Sequence, residues 1–479
     1  MKEIINIFIT AILLVSVIFM GGCTKESPTE HSQEKVRIEL SIPDNDLPNT
    51  RGFTDDQESD VGDEIHFMIF NNNSNGGRLV SYRLLAKDLD YRINPSGNIE
   101  VIMPMPSDLY CTFVFIANVP TTKVDNIVGT VGLPATNITK ADLIAQLNIT
   151  GISYWPTDGT LPEARIPMYG EARLNGNMNN VIANGPLPLR RMLARIDVIN
   201  NVDPDIFKMT KVYLANRNTG GKVIPPVLNG YMNPKGFDVP HLPEIAADLG
   251  HTLGIGTAYE VELPDDNQSI LRTIYAFESA AAFGNPDDSY RANATCLIIE
   301  GVYTLANGTP ATTYFRVDFT SINRSYMPLL RNHRYIVNID DVISNKTVAP
   351  GFPTPAAALA SYSMVVNDDG MTTSIFTMDD ATNMRYIYFD PKSFVAVSRD
   401  RIELPQKPLP YDSFKVVSSS SWKAALVPSW ITLSETTGNG AMTSVGYVCE
   451  ENTTGSSREG LIIITTKLVS ATIVVTQEP

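Results

Sequence analysis

Residues 36–42 read Val36-Arg37-Ile38-Glu39-Leu40-Ser41-Ile42, an aliphatic side chain at every second position with a polar one between. Successive side chains of a strand point to opposite faces, so this pattern predicts a half-buried β-strand. The same period returns at Ile65, Phe67 and Ile69, before a turn-forming run at 71–77 (NNNSNGG). The uninterrupted apolar stretch 111–119 suits a strand covered on both faces. Further strands are expected at 192–200, 270–276, 296–303, 314–319 and 335–339. Helical periodicity is weak, with 140–147 the best short candidate. Many short strands punctuated by turn residues predict an all-β chain of packed sandwiches.

The chain has 479 residues, 43% of them apolar and 19% charged, which is ordinary globular chemistry with room for about three domains. Its 52 acidic and 37 basic residues leave a net charge of −15. A surface of that sign repels phosphate backbones and argues against general nucleic-acid binding. Four cysteines (Cys23, Cys111, Cys296, Cys449) form no CxxC pair, and five histidines never fall at metal-ligand spacing. No metal or cofactor is expected. The GxSxG, GxGxxG, Walker and HExxH patterns do not occur, so no enzyme is expected either.

Lys2 precedes a nearly continuous apolar run from Ile4 to Met20, closed by Met20-Gly21-Gly22-Cys23. A basic start, an apolar stretch and small residues before a cut define a secretory signal. The cysteine after the small pair resembles a bacterial lipoprotein lipobox, with Met20 in place of the commoner leucine. The resemblance implies a signal peptide at 1–22 and a lipid anchor (palmitate included) on Cys23. An uncleaved membrane anchor ending in an incidental thiol is the alternative. Residues 23–35 are polar and read as a tether.

Several strings resemble the fimbrillin family, the pilins of donor-strand pili on Gram-negative gut and oral anaerobes. They are strand 36–42 with Pro48-Asn49-Thr50-Arg51-Gly52-Phe53, then 166–171 (IPMYGE), 189–198 (LRRMLARIDV), 273–278 (TIYAFE) and 330–335 (LRNHRY). The resemblance implies two tandem transthyretin-like β-sandwich domains, at 36–187 and 188–348, with a boundary near Pro186 to Leu189. A Pro- and Ala-rich stretch opens the segment 349–385, a linker or a donor segment. The tail, 386–479, resembles the BACON domain, a small Ig-like β-sandwich. The resemblance rests on Ser421-Trp422, 429–434 (SWITLS), Gly438-Asn439-Gly440, Asn452-Thr453-Thr454 with Arg458, and 473–477 (IVVTQ).

The fimbrillin resemblance further implies that an Arg-specific protease cuts between the first strand and the rest. Arg51 is the sole Lys or Arg between Arg37 and Arg78, in a turn-prone segment before Gly52. Cutting there would release residues 23–51, with both the lipid and the strand carrying Val36, Ile38, Leu40 and Ile42. Four aliphatic side chains at ~1.5–3 kcal/mol each amount to roughly 6–12 kcal/mol of burial lost. A strand from another fimbrial subunit would restore it. The plain alternative is that Arg51 is a surface arginine and the strand stays in place.

A folded tail would occupy the C-terminal end that a shaft pilin donates, which points to a tip or adhesin subunit. The segment 362–389, around Asp368-Asp369-Gly370, is the alternative donor hairpin. Receptors, if any, would be host or bacterial glycans or proteins. Tyr411 and Tyr447 are candidate glycan contacts without a supporting pattern. Trp422 and Trp430 are expected in the core, and His333 to be structural. The acidic run from Asp55 to Glu64 lacks calcium-loop spacing and reads as a solvated loop. The expected place is the cell surface: outer membrane as lipoprotein precursor, then fimbrium. The rival reading is an outer-membrane glycan-binding lipoprotein that remains monomeric.

Overall fold

The computed structural model describes residues 35–41, 61–71, 75–95, 97–104, 110–134, 137–150, 165–174, 176, 186–225, 251–260, 268–279, 293–321, 326–361, 370–379, 384–390, 393–408 and 412–479. The chain is all-β. Its first unit contains β1 (Lys35–Ser41), β2 (Glu64–Phe70), β3 (Leu79–Ala86), β4 (Tyr91–Ile93), β5 (Ile99–Pro104) and β6 (Thr112–Ala117). It continues with β7 (Gly129–Thr130), β8 (Leu133–Pro134), β9 (Asn148–Thr150), β10 (Met168–Arg173), β11 (Leu187–Pro188) and β12 (Arg190–Arg191). One sheet runs β11-β1-β5-β4 and the other β12-β10-β6-β2-β3.

The second sheet is a middle layer with a core on each side. Phe113, Phe115 and Ala117 of β6 face β1 and β5, while Val114 and Ile116 face the other way. That second core is closed by helix Thr121–Val128 and helix Lys140–Gln146 through Val124, Val128, Leu143 and Ile144. Double-sided burial explains why the 111–119 stretch shows no alternation. It also changes the reading of β2. Ile65 and Phe67 face the β1 side as their spacing implies, yet Met68 and Phe70 are also sealed, beneath the helical layer. Thr139 caps the second helix with a reciprocal Thr139–Asp142 capping box.

The chain leaves these sheets at Arg191 and enters the next at Leu193. The second unit holds β13 (Leu193–Asn200), β14 (Phe207–Asn218), β15 (Gly220–Lys222), β16 (His251–Glu260), β17 (Ser269–Phe277), β18 (Cys296–Thr304), β19 (Pro310–Asp318) and β20 (His333–Val342). β16-β14-β18-β19 form its outer sheet. The two units are joined by more than chain: β15 pairs with β9, and Met192, Val223, Ile224 and Phe277 belong to the core under the first unit's helices.

Residues 349–361 are not a free connector. Thr354 caps helix Pro355–Ala360, whose first position takes a proline without loss because that amide lacks an intrahelical partner anyway. Small side chains let the helix lie close on the outer sheet, with Ala358 packed against Ala215, Cys296 and Ile298. The rest of the chain forms β21 (Met371–Asp379), β22 (Met384–Asp390), β23 (Ser393–Val397), β24 (Arg401–Leu404), β25 (Asp412–Ser418), β26 (Trp422–Leu426), β27 (Ile431–Leu433), β28 (Thr437–Gly438), β29 (Thr443–Cys449), β30 (Arg458–Thr465) and β31 (Ser470–Gln477). β21 pairs with β20 along its length. One sheet, β17-β13-β20-β21-β22-β23-β25-β29-β27, therefore crosses from the second unit into the tail. β23 serves both sides: Phe394 and Ala396 pack in the second unit's core, Val395 and Val397 in the tail's.

The tail's other sheet is β24-β31-β30-β26-β28, and Trp422 lies in the core between the two. Gly438 sits across from Trp422 in register, and a Cβ there would fall 2.3 Å from the indole Nε1. Gly438→Val should therefore destabilise the tail by about 1–3 kcal/mol. Urea unfolding followed by tryptophan emission reads this, and an unchanged midpoint would contradict the packing described.

Candidate functional site

β1 lies in a slot. Its six residues from Lys35 to Leu40 pair antiparallel with β5, Val36 opposite Met103 and Ile38 opposite Val101. On its other edge, among the described residues, only Leu40 and Ser41 have a strand partner, the two-residue β11. Val36, Ile38 and Leu40 are 6%, 3% and 0% exposed. They meet Ile65, Phe67, Phe113, Phe115 and Leu189. These three side chains at ~1.5–3 kcal/mol each contribute roughly 5–9 kcal/mol of burial. The polar face is tied down too: Arg37 reaches the buried Glu100 of β5 at 2.6 Å, and Arg92 meets the same carboxylate. Gly170 of β10 lets the slot's far wall close, since a Cβ there would stand 2.9 Å from Leu189 and 3.2 Å from the Pro188 carbonyl. Ile42, Cys23, Arg51 and Gly52 lie outside the described residues.

The strings behind the first resemblance converge in space. β13 carries 193–198 between β17 and β20, so residues of all three strings pair directly: Leu193 with Phe277, Arg195 with Arg334. Met168 and Tyr169 pair with Arg191 and Arg190. Arg331, 1% exposed, donates to the carbonyls of Val223 (2.6 Å) and Lys222 (2.8 Å) and to Glu278 (2.6 Å). Asn332 accepts from the Arg191 amide. His333 is buried, its Nδ1 beside the Arg331 carbonyl. These residues hold the joint between the first two units.

A buried ionic knot lies near that joint. Lys140, at the start of its helix, donates to Glu171 of β10, and both side chains are fully buried. Tyr169 donates to the same oxygen, and Arg173 Nε to the other at 2.9 Å. Burial pulls the Lys140 pKa below its usual value, against the attraction of Glu171. A cation at a helix N-terminus opposes the macrodipole, so the carboxylate answers both costs.

His66 of β2 sits on the helical side. Its Nε2 donates to the Val119 carbonyl at 2.9 Å, and its Nδ1 faces the Tyr82 hydroxyl at 3.0 Å. That hydroxyl also donates to Asp125 at 2.9 Å. Tyr82 has one hydrogen for two acceptors, so the neutral ring competes with Asp125 for it. Burial nonetheless holds His66 neutral, with its pKa below the ordinary 6.5.

In the tail, several residues of the second resemblance hold the sandwich together. Gln477 donates to the carbonyls of Pro405, Gln406 and Glu450, and accepts from Arg458. Asn452 ties Ser456 to Glu478. Trp430 lies 4.4 Å beneath the Arg458 guanidinium. Tyr447 is 4% exposed and donates to Asp412 at 2.7 Å, itself held by Arg399. Its ring offers no open face for a sugar; Tyr411 lies outside the described residues. Cys296 is sealed under helix Pro355–Ala360, its thiol pushed up to about 12 by burial. Among the described residues no group of His, Cys, Asp and Glu could hold a metal ion, and no helix is long and apolar enough to cross a membrane.

These features define an all-β chain of packed sandwich sheets. Residues 420–478 match the family model BACON, described as "Putative binding domain, N-terminal". Among solved structures the chain is similar to the tip fimbrial protein Mfa3 of Porphyromonas gingivalis with C-terminal truncation, at 13% identity and TM-score 0.40, covering 72% of this chain and 100% of that one. It is similar to a "putative cell adhesion protein" of Parabacteroides distasonis, at 14% identity and TM-score 0.39, over 72% of this chain and 95% of that one. The fimbrial anchor protein Mfa2 of P. gingivalis follows at 12% identity and TM-score 0.26, over 72% and 97%. No curated protein matches the chain in sequence. At such identities and scores these likenesses carry no function across by themselves.

Two outcomes test the buried groups. Lys140→Met, which leaves Glu171 buried without its cation, should cost about 3–5 kcal/mol in urea unfolding. Adding Glu171→Met should recover most of that loss; no recovery would mean the pair is not coupled. Because the folded pKa of His66 is depressed, its contribution is complete above pH 6.5 and drains as pH falls below that value. The slope should approach ~1.4 kcal/mol per pH unit at most, and His66→Gln should flatten it.

Proposed function

We propose that the chain is the precursor of a fimbrial subunit that accepts a strand at its first unit and presents its tail at the fibre's tip. The observation that carries this reading is the β1 slot. An amphipathic strand is sealed against an apolar floor, hydrogen-bonded along one edge by β5, and joined to the rest of the chain through the segment containing Arg51. Cys23 carries the lipid at the outer membrane, and an Arg-specific protease cuts between Arg51 and Gly52. Removing β1 strips cover from Val101, Met103, Phe113 and Phe115, an apolar floor beside an unpaired β5 edge. A strand from another fimbrial subunit, apolar at alternate positions, restores both.

The tip position is supported by what the C-terminal strands are doing. β31 is paired on both edges, with β24 and β30. β21 is paired with β20 over its full length. Neither of these two strands is idle, which favours a subunit that accepts a strand and leaves its tail to meet a host or bacterial receptor. The resemblance carried by the strings 36–53, 166–171, 189–198, 273–278 and 330–335 supports this reading.

Arg51→Ala separates it from a monomeric glycan-binding lipoprotein. In cells making the full chain, the substitution should keep the protein membrane-bound with Cys23 as its N-terminus by mass spectrometry, and abolish heat-resistant high-mass polymer. Wild-type polymer should begin at Gly52. Wild-type fibres that retain Cys23, or no fibres at all, would overturn the proposal.

A further inference from the structure

β21 and β22 are neighbours in the long sheet, yet they run together only from Thr377, Met378 and Asp379 to Tyr386, Arg385 and Met384. β21 keeps β20 on its other edge throughout, and β22 keeps β23. The two strands therefore fork. Over residues 373–376 the β21 edge that faces the fork has no backbone partner among the described residues.

A cleft of about 810 Å³ fills the fork. One wall is apolar, made by Phe319, Met327, Tyr335 and Tyr386; the other is polar, with Arg385, Asp400 and Arg401 beside Ser470 and Thr472 of β31. Arg385 lies 3.8 Å over the Phe376 ring and pairs with Asp400 at 2.9 Å, and its buried Nε has no hydrogen-bond partner. Two arginines stand against one aspartate.

We propose that the fork is a docking site for an extended acidic peptide strand of another protein, which adds to the free edge of β21. Unpaired backbone donors and acceptors at strand spacing are matched by another strand. Four residues span ~13 Å. Side chains of an added strand alternate between the two walls, so its residues are apolar on one side and acidic on the other. The site lies away from the β1 slot and does not depend on what happens there. It is formed where the pairing of β21 with β22 stops.

The probe is the labelled peptide acetyl-Val-Glu-Ile-Thr-Val-Glu-Val-amide, titrated into the full chain by fluorescence anisotropy, with amide exchange followed by mass spectrometry. Binding should slow exchange within 371–379. Methylating the backbone nitrogens along one edge of the peptide should weaken it at least about tenfold, while methylating the other edge leaves it nearly unchanged. Arg401→Glu, at an exposed position, should weaken it about tenfold without altering the protein's unfolding midpoint. No binding at millimolar peptide, protection confined to other strands, or indifference to both methylation patterns would overturn the proposal. So would saturable binding of sialyllactose lost in Arg401→Glu with none of the peptide, which would make the cleft a saccharide site.

Discussion

The apolar contact between the inner face of β1 and the middle sheet of the first unit is the constraint on which the rest turns. β1 brings Val36, Ile38 and Leu40 onto Phe67, Phe113 and Phe115, and it has one long hydrogen-bonded neighbour. The middle sheet cannot turn that face to water, because its opposite face is already committed to the helices through Val114, Ile116 and Met68. Whatever fills the slot must therefore be a strand with aliphatic side chains at alternate positions. The stabilisation at stake, roughly 5–9 kcal/mol, is comparable with the whole stability of a typical domain, ~5–15 kcal/mol. That comparison is why a single strand can decide whether the unit is satisfied.

The remaining polar residues of the first two units serve geometry. Arg331 gathers two backbone carbonyls and Glu278 at the place where both units share a core. Arg195 and Asp197 form an ion pair within β13, and Asp197 also accepts the Arg272 amide. Charged groups buried in this way are costly unless each lone pair and proton is engaged, and here they fix strand register at the joint. The strings that carried the fimbrillin resemblance are thus the packing grammar of a two-unit body, and the tail's Gln477, Asn452 and Arg458 are the equivalent in miniature.

Much of this was legible in the sequence where burial is one-sided. Period-two alternation located β1, and the strands expected at 192–200, 270–276 and 335–339 fall within three residues of β13, β17 and β20 at each end, although β13 is buried on both faces. The apolar run at 111–119 rightly implied cover on both faces. Helix Thr121–Val128 was not legible: its first turn has no side-chain cap, and only Val124 and Val128 mark its buried stripe. The segment 349–385 read as a linker or donor segment because its opening prolines usually punctuate, yet Pro355 opens a helix there. Lys140 gave no signal, since a lysine is ordinarily solvated and its partner Glu171 lies 31 positions away. The fork between β21 and β22 is set by where two strands stop pairing, and no residue pattern announces that.

β23 has a mechanical meaning beyond its place in the sheet. With Phe394 and Ala396 in one core and Val395 and Val397 in the other, the strand cannot rotate without tearing both. A tug on the tail therefore loads β23 against both cores at once. The tail's sandwich is thereby joined to the body through a shared strand and not through a bare connector.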